Sequence, residues 1–132
     1  MNTVKETEIR MPVRESYVPV ITRREAAKVR VREILYIESE LRVIAIHTAG
    51  RTYRFYGKLD DILKYLDGRF YRCHKSCVIN LENVLRMENG VFYFPGGITL
   101  RVGQNNYRLT RNEYVKYLRQ NARTWENTGR DS

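Results

Sequence analysis

FYRCHKSCVIN occupies positions 70–80. Arg, His, Lys, Ser and two Cys are crowded there between an aromatic pair and an aliphatic run, and a metal site, a thiol nucleophile and a nucleic-acid contact all use such residues. As a single strand over 70–79, the stretch puts Arg72, His74 and Ser76 on one face and Cys73, Lys75 and Cys77 on the other, because successive strand side chains alternate. The surrounding chain has to decide between the three chemistries.

Immediately upstream, KLDDILKYLDG (58–68) spaces Leu59, Ile62, Leu63 and Leu66 at i, i+3, i+4 and i+7, with acids in the first turn and Gly68 as a stop. This predicts one short amphipathic helix. LRVIAIHTAGRTYRFYG (41–57) predicts a hairpin in which Gly50 supplies a positive φ to the turn at Thr48–Gly50. In KVRVREILYIES (28–39) the apolar residues first alternate and then run together, which predicts strand, brief irregularity, strand; VPVITRR (18–24) predicts a short strand ending in a basic turn.

Downstream, 83–88 predicts a strand, Asn89-Gly90 turns it into VFYFP (91–95), and Gly96-Gly97 turns that into ITLRV (98–102). Thr110-Arg111-Asn112-Glu113 has the form of a capping box with Leu109 and Tyr114 as its staple, and Val115, Leu118 and Ala122 follow at helical spacing, so a closing helix over about 111–123 is predicted, with a frayed tail. Strand outweighs helix until that point.

The chain has 132 residues, 42% hydrophobic and 30% charged, which suits one folded domain and not a disordered tail. Its formal charge is +9, from 24 Lys and Arg against 15 Asp and Glu, which argues for a polyanionic partner: nucleic acid, an acidic membrane surface or an acidic protein. No apolar run approaches the length of a membrane span, and the N-terminus lacks a hydrophobic signal region, so a cytoplasmic protein without membrane insertion is expected. Two interior Cys suit a reducing compartment as free thiols.

Structural zinc needs four ligands, and only His47 remains to join Cys73, His74 and Cys77, so no metal or other cofactor is expected. Cys73 beside Arg72, His74 and Lys75 could have a depressed pKa, yet neighbours on a strand point to opposite faces, which denies Cys73 His74 as a base. No enzyme is expected. Spaced along one strand, the two Cys lie near the upper limit for a disulfide unless the strand bends.

Nucleic-acid contact absorbs more of the chain. A solvated edge strand would carry the same residues at 70–80, but RVGQNNYRLTR (101–111) adds Gln104, Asn105 and Asn106 to Arg101, Arg108 and Arg111, and amides and guanidinium groups are the side chains that read base edges and hold phosphate. ESELR (38–42) is a third, more acidic loop. Tyr36, Tyr53, Phe55, Tyr56, Phe92, Tyr93 and Phe94 are expected in the core and on sheet faces and not as a base-stacking platform, which favours duplex DNA over single strands.

In order, ILYIES (34–39), RFYGKLDDILKYL (54–66), F-x-R-x-H-x-S-x-x-V/I-N at 70–80, the FPGG turn and LRVGQNNYRL resemble the LytTR-type DNA-binding domain of bacterial response regulators, over about residues 28–109. The resemblance implies a mainly β, elongated arrangement of small antiparallel sheets with one short internal helix and a C-terminal helix. It divides the chain into a lead-in (1–27), the DNA-binding domain (28–109) and a C-terminal helix with its tail (110–132).

It also implies a sequence-specific regulator of transcription, part of a two-component system, that enters the major groove of double-stranded DNA through loops at 39–42, 72–76 and 102–108 and without a recognition helix. Arg42, Lys75 and Gln104 or Asn105 are the expected base contacts. Arg72, His74, Ser76, Arg101, Asn106 and Arg108 are the expected phosphate contacts, with His74 also a candidate for an architectural role. Many relatives carry a Ser-Arg pair where this chain has Val102 to Asn106, and in the first loop Glu40, Leu41 and Arg42 all remain candidate readers.

A homodimer on repeated DNA sites and a sensor or inhibitor protein are the expected partners. Relatives of this type commonly follow a receiver domain, which 27 residues cannot form, so either a stand-alone regulator or an excised DNA-binding half fits. The alternative from another class is a basic β module that binds an acidic partner protein.

Overall fold

The computed structural model describes residues 15–122. Strands β1 (Tyr17–Ile21) and β2 (Ala26–Arg30) form a hairpin; after a single 3-10 turn come β3 (Ile34–Glu40), β4 (Val43–Thr48), β5 (Thr52–Tyr56), the short helix α1 (Leu59–Leu63), β6 (Phe70–His74) and β7 (Cys77–Asn80). Then follow β8 (Arg86–Glu88), β9 (Val91–Tyr93), β10 (Thr99–Arg101) and helix α2 (Gln104–Asn121). All pairing is antiparallel: β1 with β2, a three-stranded sheet β10-β9-β8, and a central five-stranded sheet β5-β4-β3-β7-β6. This is the mainly β arrangement of small antiparallel sheets, with one internal and one C-terminal helix, that the sequence predicts.

The central sheet is buried on both faces. Val18, Val20, Val29, Val31, Ile34, Ile37, Ile44, Ile46 and Val78 meet Leu59 and Ile62 of α1 in a layer whose buried residues are aliphatic, with Tyr53, Phe55, Tyr65 and Phe70 packed at its margin. Across the sheet Leu35, Tyr36, Cys73, Ile79 and Leu81 meet Phe92, Phe94 and Tyr114 in an aromatic layer. Each such aliphatic side chain contributes roughly 1.5–3 kcal/mol on leaving water, which fixes the register that positions the turns.

Several elements depart from expectation. The stretch 70–79 is not one strand: β6 ends at His74, the chain turns at Lys75-Ser76, and β7 returns, with a register shift between Arg72 and His74. The residues therefore do not divide into the two alternating faces of a single strand. The 48–51 turn does not use Gly50, whose φ is not positive; Thr48 closes it instead, its hydroxyl donating to the Arg51 carbonyl (2.8 Å) and accepting from the Arg51 N–H (3.1 Å). Helix α1 ends at Leu63, short of Gly68, and of 83–88 only Arg86–Glu88 is strand.

The C-terminal helix starts at Gln104, six residues before the capping box. Its buried face is Thr110 and Tyr114, flanked by Tyr107 and Tyr117, while Leu109 and Leu118 are exposed and make no staple or core stripe. The Tyr114 hydroxyl donates to the Val84 carbonyl at 2.6 Å. That bond fastens the helix to the segment leading into β8, and the stacking of Tyr107 on Phe92 (centroids 5.5 Å apart) fastens it to β9. The lead-in before residue 15 and the tail from 123 lie outside the described residues.

Candidate nucleic-acid interface

The strand order brings two turns to one end of the central sheet. β3 and β4 are joined by the two residues Leu41 and Arg42, since Glu40 already pairs with Val43. β6 and β7 are joined by Lys75 and Ser76. Because β3 and β7 are neighbours, the turns lie side by side: the Ser39 N–H, two residues before the Leu41-Arg42 turn, donates to the Ser76 carbonyl at 3.0 Å. The Gly57 N–H likewise donates to the Arg42 carbonyl at 2.9 Å, which brings the end of β5 and the start of α1 alongside.

Between these segments lies an open cleft of about 290 Å³ lined by Ser39, Arg42, Gly57, Lys58, Leu59, Asp60, Arg72 and Lys75. Four of the lining side chains are cationic and one is acidic. Among the described residues Arg42, Lys58 and Lys75 form no ion pair. Such a cleft suits an anion, because its charge is not already neutralised from within.

Arg72 and His74 shape the Lys75-Ser76 turn from inside. The Arg72 guanidinium donates to Asp60 Oδ1 at 2.8 Å and to the Lys75 carbonyl at 2.5 Å, so it ties the turn to α1. His74 Nδ1 accepts the Ser76 N–H at 3.1 Å. An accepting Nδ1 carries no proton, which leaves the ring proton on Nε2 as a donor. These contacts hold a turn in which neither Lys75 nor Ser76 takes a positive φ, and they leave the exposed Lys75 at its tip.

The Leu41-Arg42 turn has both central residues at positive φ, 50° and 71°. That is the type I′ geometry that suits the twist of a hairpin, at a cost of about 1–2 kcal/mol for each L-residue held there. Tyr56, expected among the core and sheet-face aromatics, is instead 84% exposed beside this turn and pairs with Val43.

The third predicted segment is less of a loop than expected. Gln104, Asn105, Asn106 and Arg108 lie on the first turns of α2, after Val102, whose N–H bonds the Gly90 carbonyl at 3.2 Å. Gln104 and Asn105 are exposed, and Arg108 donates to Asn105 Oδ1 at 2.8 Å. Arg101 reaches the Asn89 carbonyl at 3.4 Å. None of these residues lines the cleft that joins Arg42, Arg72 and Lys75.

The thiols sit behind the turn. Cys73 is buried and donates to the Cys77 carbonyl at 3.6 Å, and both cysteines are free. The hairpin supplies the bend that a straight strand lacks and brings the two side chains together. Cys77 is pushed up by Cys73 and by burial, and its thiol proton in turn draws Cys73 down. His74, its Nδ1 occupied by Ser76, gives Cys73 no base. His47 is engaged by the Glu38 carboxylate (2.8 Å) and the Thr52 hydroxyl (3.0 Å) and stacks on Tyr36, whose hydroxyl burial and Glu38 push up to about 12.

Nothing in the residue spacing indicates that Lys58, Asp60 and Tyr56 share this end of the molecule with the loops at 39–42 and 72–76. Lys58 and Asp60 read only as the start of an amphipathic helix; the strand order, which spacing does not encode, places that start beside the 70–80 hairpin.

The profile of the LytTr DNA-binding domain matches residues 24–122. Accessory gene regulator protein A of Staphylococcus epidermidis is 33% identical over 99 residues, which cover 69% of this chain and 41% of that protein. The protein of the same name from Staphylococcus aureus is 42% identical over 59 residues, covering 42% of this chain and 24% of that one. This chain thus spans well under half the length of the curated relatives it matches. Among solved structures, the LytTr DNA-binding domain of a putative methyl-accepting/DNA response regulator from Bacillus cereus superposes with a TM-score of 0.61 at 18% identity, over 77% of this chain and 98% of that one, a likeness of fold. With three quarters of its length matched, the chain belongs to the LytTr DNA-binding domain family.

Proposed function

We propose that this chain binds double-stranded DNA sequence-specifically, as the DNA-reading part of a cytoplasmic transcription regulator. The turns Leu41-Arg42 and Lys75-Ser76 enter the major groove together, and the first turn of α2 makes a separate contact. The observation that carries this reading is the Ser39–Ser76 backbone bond beside a cleft lined by Arg42, Lys58 and Lys75: two exposed basic turns are fixed at one spacing by the sheet itself.

Lys75 and Arg42 contact base edges, where Lys and Arg find the O6 and N7 acceptors of guanine. Gln104 or Asn105 reads a base at the second contact. Ser76, the Nε2–H of His74, Asn106, Arg101 and Arg108 hold phosphates; Arg72 contributes through the N–H groups that Asp60 and Lys75 leave over. The chain acts as a homodimer on repeated sites, answers to a sensor or inhibitor protein, and carries out no catalytic step.

Selection from a random duplex pool at near-physiological salt tests the reading, since non-specific phosphate binding is then weak. A short enriched motif, repeated at about one helical turn, is the expected result. A folded protein that enriches no motif overturns it.

A further inference from the structure

The two type I′ hairpins of this chain are built from different residues. At one, Asn89 and Gly90 sit at φ 50° and 83°, the residue types that tolerate this conformation. At the other, Leu41 and Arg42 sit at 50° and 71°. A γ-branched and a long side chain are the wrong choice for that backbone, and a strained position that persists points to a use for the side chain.

Leu41 is 88% exposed, more than any other large apolar residue among the described ones. It makes no core contact that would reward leucine. A two-residue turn leaves it no slack, and its neighbour Arg42 lines the cationic cleft with Arg72 and Lys75. The side chain is therefore an exposed apolar point between that cleft and a hollow lined by Glu38, Glu40 and Arg54, on a turn whose backbone is fixed by the hairpin.

The major groove offers one apolar feature amid its donors and acceptors, the C5-methyl group of thymine. We propose that Leu41 reads a thymine methyl, with Arg42 beside it on an adjacent base or phosphate. This rests on the DNA-binding reading and deepens it: the strained turn is a specificity element, and its residues are held for contact at the expense of the fold.

The test uses the motif recovered by selection, with each thymine replaced in turn by deoxyuridine, which differs only by the methyl group. The native protein is expected to lose about three- to fivefold in affinity at one position, the scale of one buried methyl. Leu41→Ala should bind the thymine duplex that much more weakly and lose all discrimination against deoxyuridine there. Leu41→Asn, which suits positive φ, should raise the unfolding temperature while losing the same discrimination, so instability cannot mimic the effect. Native protein indifferent to every deoxyuridine, or variants that keep the discrimination, would overturn the assignment and leave DNA binding itself standing. A weakened self-association in Leu41→Ala with discrimination intact would overturn it in favour of a contact between copies. Failure to enrich any motif would instead remove the reading on which the assignment rests.

Discussion

The two ends of the central sheet use the same strands and spend their polar groups differently. At the end where β3 begins and β7 finishes, Asn80 donates to the Ile34 carbonyl at 2.9 Å, Asn83 donates to the Arg32 and Ile34 carbonyls, and the arginines are paired with acids, Arg51 with Glu25 and Arg69 with Asp67, each at 2.7 Å. At the opposite end the Lys75-Ser76 turn is bonded to β3 beside the Leu41-Arg42 turn, three cations have no acidic partner among the described residues, and one turn is strained. Hydrogen-bonding capacity consumed in folding cannot also recognise a ligand. The contrast sets an anchored end against one whose polar groups stay free, and the free end is the one we propose reads DNA.

Breaking the anchored end should therefore cost stability and leave recognition alone. Asn80 is fully buried, and besides its bond to Ile34 it accepts the Glu82 N–H at 3.0 Å. Asn80→Ala leaves buried polar groups short of partners and should cost about 2–3 kcal/mol in urea unfolding. The protein that remains folded should select the same DNA motif. A changed motif with unchanged stability would invert the assignment of the two ends.

At the end proposed to read DNA the signs reverse. Lys75 is exposed, at the tip of its turn, without an ion pair. Lys75→Ala should weaken cognate binding by about 1–3 kcal/mol and relax preference at one base pair, while the unfolding free energy stays within about 0.5 kcal/mol of the native value. Equal losses on cognate and random duplexes would reduce Lys75 to a phosphate contact.

The one acid in the cleft gives a smaller and less obvious effect. Asp60 is largely exposed and holds Arg72, and an exposed pair of this kind contributes little to stability. It also opposes the approach of DNA phosphates. Asp60→Asn keeps an oxygen for Arg72 and removes the charge, so affinity should rise several-fold on all duplexes at low salt, and the gain should fade as salt screens it. A loss of affinity in direct titrations would mean that the ionic tether itself sets the Lys75 turn.

The sequence disclosed those parts of this arrangement in which periodicity or a turn signature acts locally. β4, β5 and the Asn89-Gly90 hairpin follow from alternation and from residues made for their turn. The two turns at the proposed reading end have no such signature: Leu-Arg is a poor pair for a turn, Lys-Ser carries no Gly, Asn or Pro, and Arg72 and His74 brace the second from the flanking strand. That is why 70–79 reads as a single strand. The capping box at Thr110 misled for a related reason, since a helix begun at Gly103 buries Thr110 against the aromatic layer and needs no cap there. The F-x-R-x-H-x-S-x-x-V/I-N resemblance is what singled out this hairpin as the proposed site, where local propensity pointed elsewhere.

The smallest expected effect is the sharpest test of the comparison. Arg51→Ala removes one positive charge, as Lys75→Ala does, but from the anchored end, where the guanidinium is paired with Glu25 and lies over the Tyr53 ring. If the formal charge of +9 attracted DNA only as a sum, the two variants would weaken binding equally and flatten its salt dependence equally. If position decides, Arg51→Ala should bind the selected motif within about twofold of the native protein, keep its base preference and keep its salt slope within about half a unit, the scale of less than one phosphate contact. Parallel salt titrations of the two variants on one duplex separate these outcomes. Matching slopes would mean that the cations act only through their number, and the division of the sheet into an anchored and a reading end would fail.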